Sequence, residues 1–198
     1  MDILRELMVE LQLLERGITA DAVLSAFEDV PRERFVDPDD ADVAYDDGAL
    51  PLGLTGEAIS DPYATAWLLQ AAEIRPGHRV LDVGTGSGYL AALAAHMGAV
   101  VHTVERHPEL VARAASVLAA LAPTVNVHQA DGWDGLPDHG PFDRVVVGCA
   151  TPEPSPHWLA QLAPGGLLVA QIGAELTVVG ADGARRVLGP AGFTPLAR

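Results

Sequence analysis

The chain has 198 residues, which suits one well-cored domain. Hydrophobic residues make up 49% of it, and no low-complexity tract is present, which excludes extended disorder. The formal net charge is -15, and all 12 basic residues are Arg. This excludes a nucleic-acid partner held through phosphates, lysine Schiff-base chemistry and a P-loop lysine.

In chain order, Ile3, Leu4, Leu7, Met8, Leu11 and Leu14 form a stripe that predicts an N-terminal helix docked through that face. A second helix is predicted from Thr19 or Asp21 to about Phe27, with Asp21 as a candidate cap. Residues 30–62 read as irregular, with Pro31, Pro38, Pro51 and Pro62 among several Asp and Gly. Because this long loop region carries Tyr45, Leu50, Leu52 and Ile59, it reads as a binding lid. Pro62 suits the first turn of a helix through Trp67, Leu68 and Ala71.

From Arg79 onward strands are predicted at 79–83, 100–104, 125–129, 143–148 and 166–172. Helices are predicted at 89–97, 108–121 and from His157 to Leu162. The alternation implies an α/β class, a doubly wound and mostly parallel sheet with helices on both faces and an N-terminal helical cap. Leu176 to Leu188, around Ala181-Asp182-Gly183, reads as an edge hairpin. The expected organisation is one domain over 1–198. It comprises a cap and substrate region at 1–75, a cofactor-binding core at 76–173 and an edge hairpin at 174–198.

Chemistry concentrates at Val80-Leu81-Asp82-Val83-Gly84-Thr85-Gly86-Ser87-Gly88-Tyr89. A strand runs into a turn stripped of side chains, so a ligand can approach the backbone before the next helix starts. The spacing D-x-G-x-G-x-G is the form typical of S-adenosylmethionine methyltransferases. NAD is disfavoured, because its loop carries one more residue between the last two glycines and no Arg or Lys is placed to await a phosphate. Two further acids follow successive strands. Glu105 suits a pair of ribose hydroxyls, and Asp131, beside Gly132, suits an adenine amino group. Asp82 lies beneath the loop, where it would fix the turn or hold the cofactor ammonium through water. A cationic sulfonium tolerates these acids better than a pyrophosphate would. No metal site is expected, since the seven His are scattered and His102-x-x-Glu105-x-His107 lacks ligand geometry. Trp67, Trp133 and Trp158 read as packing or pocket-lining residues. The single Cys149 fits a reducing compartment. No signal-like start and no membrane-length apolar run is present. A cytoplasmic monomer without membrane partners is therefore expected.

The chain also resembles the protein-L-isoaspartate O-methyltransferases nearly end to end. The resemblance rests on Val30-Pro31-Arg32-Glu33-Arg34-Phe35-Val36, Leu50-Pro51-Leu52-Gly53, Ile59-Ser60-Asp61-Pro62 and the GTGSGY core. Ala130-Asp131-Gly132, Pro141-Phe142-Asp143, Gln161 to Gly166 and Gly192 to Leu196 continue the family's order. It implies a Rossmann-like methyltransferase fold and methylation of the α-carboxyl group of isoaspartyl residues in damaged proteins or peptides. It also implies Ser60 as the catalytic residue. Ile59, Asp82, Gly84, Thr85, Gly86, Gly88, Glu105, Asp131 and Gly132 would contact S-adenosylmethionine. Local sequence alone favours Ser60 as a helix cap ahead of Pro62, a role that can coexist with the one the resemblance implies.

Some positions depart from the family pattern. Ala58 stands where Thr is common, and Asp61 where a neutral residue is common. A second carboxylate against an anionic substrate would cost about 1–4 kcal/mol at contact distance. After the core, the chain reads Gln171-Ile172-Gly173-Ala174-Glu175-Leu176 and its tail is short. Two alternatives stay open on these grounds. One is a carboxyl methyltransferase for an aspartate of a specific peptide or natural-product precursor, and the other a catalytically silent S-adenosylmethionine-binding regulator.

Overall fold

Short runs of Val, Leu and Ala become strands here because both faces of the sheet are covered, so neither register needs a polar side. The computed structural model describes residues 1–53 and 56–196. Residues 54 and 55 of the expected lid, and 197 and 198 of the tail, lie outside the described residues. Helix α1 (Asp2–Leu7) continues as a π-helix over Met8–Leu14, followed by α2 (Asp21–Asp29). A two-stranded ribbon of β1 (Leu50–Pro51) and β2 (Ala58–Ile59) precedes α3 (Pro62–Ala72). Then come β3 (Arg79–Val83), α4 (Tyr89–His96), β4 (Val100–Glu105), α5 (Pro108–Leu121) and β5 (Asn126–Gln129). β6 (Phe142–Thr151), α6 (Pro156–Ala160), β7 (Leu162–Ile172), β8 (Glu175–Gly180) and β9 (Arg185–Pro190) complete the order.

The main sheet runs β5-β4-β3-β6-β7-β8-β9, parallel as far as β7 and antiparallel beyond it. Strand order reverses between β3 and β6, which makes the carboxyl ends of these two strands the crevice of a doubly wound sheet. One face packs Val80, Val101, Val146 and Val169 against α3, α4, α5 and the N-terminal helices. The other packs Leu81, Val83, Val104, Val145 and Val147 against Phe142 and Trp158. Burying each such apolar side chain contributes roughly 1.5–3 kcal/mol.

The N-terminal helix departs from its expected docking. Met8, Val9 and Leu13 are buried, while Ile3, Leu4, Leu7, Leu11 and Leu14 stay exposed. Helix α1 buries none of its residues, and in the π-helix that follows, the wider turn puts Met8, Val9 and Leu13 inward and leaves Leu11 and Leu14 outward, off the 3.6-residue stripe. Asp21 is the first helical residue of α2 rather than its cap. Ala20 holds the cap position, and its N–H, like that of Thr19, donates to Oε1 of Gln70.

Candidate active site

The turn after β3 is held by backbone that only glycine adopts comfortably. Gly84 and Gly86 have φ of 89° and 51°, so a side chain at either is strained. Gly88, also left-handed, has a different task. A Cβ there would meet Leu118 Cδ1 at 3.0 Å, so it brings α4 onto α5 and stays out of the cleft lining. Two clefts open at this point. The first has a cavity volume of about 60 Å³ and is lined by Gly84, Gly86, Glu57, Glu105, Arg106 and Gly132, among others. The second, about 40 Å³, is lined by Ile59, Ser60, Thr85, Tyr89 and Phe193, among others. Ala58, Gly84, Gly86 and Gly148 line both, so the two form one bipartite site.

Glu105 ends β4 and is nearly buried. Its Oε2 accepts from the Gly86 N–H at 3.0 Å, and its Oε1 from the N–H groups of Arg106 (2.8 Å) and His107 (3.0 Å). The carboxylate is therefore locked to the glycine turn. Asp82 pairs with Thr103 across β3 and β4. Its Oδ2 accepts from Thr103 Oγ1 at 2.8 Å, and Thr103 meets Thr85 Oγ1 at 2.6 Å. The other oxygen, Oδ1, is buried without a partner among the described residues. Burial pushes the Asp82 carboxyl up to about 7, against the Thr103 hydrogen bond and with help from Glu105. Such a group welcomes a cation, which would restore the ionised form.

Gly132 closes the far end of the first cleft. A Cβ there would meet Val83 Cγ1 at 3.0 Å, and its carbonyl accepts from Trp158 Nε1 at 2.7 Å. Trp158 is fully buried against Trp133, and Ser155 Oγ donates to the Trp133 carbonyl at 2.7 Å. These indoles brace the turn rather than face solvent. Asp131 is exposed, its Oδ1 accepting from the Trp133 N–H at 3.0 Å, and although it precedes Gly132 it is not itself among the residues lining either cleft.

Ser60 sits where β2 meets α3, and the cap position beside it belongs to its neighbour. Asp61 Oδ1 accepts from the Ala64 N–H at 2.8 Å, with Pro62 in the first turn. The capping reading of Ser60 is thereby replaced, and the Asp61 carboxylate is engaged by the helix it starts. Asp61→Ala is expected to cost about 1 kcal/mol in thermal or denaturant unfolding, with Asp61→Ser retaining most of it. Lost activity at unchanged stability would instead put this carboxylate on the substrate.

The Ser60 backbone is hooked from far upstream. Arg32 is fully buried, its Nη2 donating to the Ser60 carbonyl at 2.8 Å and its Nε to the Ala44 carbonyl at 2.8 Å. Its guanidinium carbon lies 5.2 Å from the centroid of the Tyr89 ring.

Sequence reasoning missed several lining residues. Glu57 faces the first cleft, and burial, reinforced by Glu105, raises its pKa. Arg106 lines the same cleft, although no Arg was expected there. Thr194, Pro195 and Leu196 also line it. The Ala150 N–H donates to the Thr194 carbonyl and the Leu196 N–H to the Ala150 carbonyl, both at 2.8 Å. Gln171 Oε1 accepts from the Phe193 N–H at 2.7 Å. A Gly-Phe-Thr-Pro-Leu segment after an edge hairpin gave the only hint that the chain returns.

The family model for protein-L-isoaspartate(D-aspartate) O-methyltransferase matches residues 4–181. A protein-L-isoaspartate O-methyltransferase of Gloeobacter violaceus is 48% identical over 170 residues, which covers 85% of this chain and 82% of that protein. One from Methylorubrum extorquens is 45% identical over 202 residues, covering 98% and 88% respectively. In fold, the chain superposes with a TM-score of 0.84 on a Plasmodium falciparum structure described as such an enzyme in complex with S-adenosyl-L-homocysteine. That match is 24% identical and covers 96% of each chain. Another protein-L-isoaspartate O-methyltransferase structure matches with a TM-score of 0.81 at 23% identity, over 98% of this chain and 66% of that one.

Proposed function

The chain belongs to the protein-L-isoaspartate(D-aspartate) O-methyltransferase family, and we propose that its two clefts bring S-adenosylmethionine to the α-carboxylate of an isoaspartyl residue in a damaged protein or peptide. The observation that carries this reading is the shared wall of Ala58, Gly84, Gly86 and Gly148, with Glu105 on one side and Ser60 on the other.

The residues fit the cofactor. Glu105 would accept from two ribose hydroxyls, and the adenine would lie toward Gly132, where a small shift would bring it to the preceding residue, the exposed Asp131. The turn from Gly84 through Thr85 to Gly86 leaves room for close backbone approach. The orphaned Asp82 Oδ1 beneath suits an ammonium group, reached through water. S-adenosylmethionine supplies a methyl group activated by a sulfonium cation. An α-carboxyl group has a pKa of about 3.5, so the attacking oxygen is already ionised at neutral pH and no residue need take a proton. It bonds to the methyl carbon as the carbon–sulfur bond breaks, leaving a methyl ester and S-adenosylhomocysteine. The chain's part is alignment and exclusion of water, which supplies on the order of 7–11 kcal/mol. Ser60 donates a hydrogen bond to the carboxylate, and buried Ile59 helps wall the site beside it. The reaction is assigned to a monomer in the cytoplasm, in keeping with a single buried Cys149 and strong acidity. No described helix is long and apolar enough to cross a membrane.

The test is methyl transfer from labelled S-adenosylmethionine to a short isoaspartyl peptide, with the aspartyl peptide as control. Transfer to the isoaspartyl form alone is expected. Equal transfer to both peptides would favour an aspartate-directed enzyme, and cofactor binding without transfer a silent binder.

A further inference from the structure

On the sheet face that carries Phe142 and Trp158, at the β4–β5 edge, three histidines remote in sequence come together. His102 on β4, His128 on β5 and His139 in the turn before β6 each offer a ring nitrogen, all within 4.8 Å of one another. We propose that His102, His128 and His139 form a binding site for a divalent late transition metal ion such as zinc.

The geometry is close to what such an ion needs. Nitrogens around 2.0–2.1 Å from a tetrahedral zinc lie about 3.3 Å apart. His102 Nδ1 and His128 Nε2 are already 3.1 Å apart, and the pairwise ring centroids of the three residues lie 4.5, 4.9 and 5.3 Å apart. Small ring rotations would aim the third nitrogen at the same point. The donor set is imidazole alone, which suits zinc, copper or nickel rather than calcium or magnesium. Three protein donors leave a fourth position for water.

Burial also favours the ligating form of two of the rings. Burial, followed by His139, His128 and Arg79, pushes His102 down to about 4, and burial and His139 lower His128. Neutral imidazole binds metal without first losing a proton. The present His102–His128 hydrogen bond holds one proton between the facing nitrogens. Moving it to the far nitrogen of its ring frees both lone pairs with no net proton release.

Arg79 faces the cluster and opposes a cation, but its Nη2 is turned to the His139 carbonyl at 2.5 Å. Among the described residues, the cluster makes one internal hydrogen bond for its three rings. An ion here would tie β4 and β5 to the segment leading from Asp131 and Gly132 to β6, at a distance from the methyl-transfer clefts.

The test titrates tag-free chain with zinc against a chromophoric chelator and follows thermal unfolding with and without zinc. Wild type is expected to take one equivalent and to gain Tm. His128→Gln and His139→Gln are each expected to weaken binding by about 100-fold or more, since even outer-shell changes cost 10–100-fold. His96→Gln, on the far side near Asp29, should leave binding unchanged. No uptake by wild type would overturn the proposal. So would equal binding by the cluster variants, or loss in His96→Gln. The wild-type Tm response needs no variant and guards against a misfolded substitution.

Discussion

Ser60→Ala is expected to lower kcat for methyl transfer to an isoaspartyl peptide by about 10- to 150-fold, while S-adenosylhomocysteine binds within about twofold of wild type. A hydrogen bond to a charged group contributes about 1.5–3 kcal/mol, and that range gives the factor. The split between turnover and cofactor affinity follows from the layout, because Ser60 lines the second cleft and Glu105 the first. The fold should not suffer, since the helix start is secured by Asp61 and Arg32 grips the Ser60 carbonyl rather than its hydroxyl. Thr at this position should recover part of the rate. Equal loss of cofactor affinity and turnover would contradict the division between the clefts, and full activity in Ser60→Ala would remove the hydroxyl from the reaction.

Glu105→Ala is expected to weaken S-adenosylhomocysteine binding by at least about 100-fold, measured calorimetrically. On the proposed reading, two charge-assisted hydrogen bonds to ribose would disappear together. The N–H groups of Gly86, Arg106 and His107 also lose their common acceptor, so the glycine turn is no longer held for the ligand. Glu105→Gln, which keeps one carbonyl oxygen but lacks charge, should fall between the two. Binding unchanged in the Ala variant would move the ribose elsewhere in the cleft.

The alternating core was legible because each strand is a short β-branched or aliphatic run and each helix keeps a 3.6-residue face, as in Leu110, Ala114 and Leu118 of α5. Glu105 was legible for a topological reason: parallel strands deliver their carboxyl-end residues to one edge. Features set by contacts across the chain were not. Nothing near Arg32 announces that it reaches Ser60, and Leu11 and Leu14 suggested part of a buried stripe that a π-helix turned outward. Asp61 looked like a liability against an anionic substrate until its carboxylate was found on a helix N–H. The three histidines are separated by 26 and 11 positions, so only strand pairing and a turn bring them together.

The Arg32 hook also shapes how the region before α3 can move. By fastening both Ala44 and Ser60 to one buried side chain, it turns the stretch between them into a closed loop with fixed ends. The entropy of closure is met once, on folding, and grows only slowly with loop length. Such a segment keeps both ends beside Arg32 and cannot swing away as a whole like a hinged door. Peptide entry and ester release would then proceed by local flexing beside Ser60, leaving the serine itself in place through every turnover.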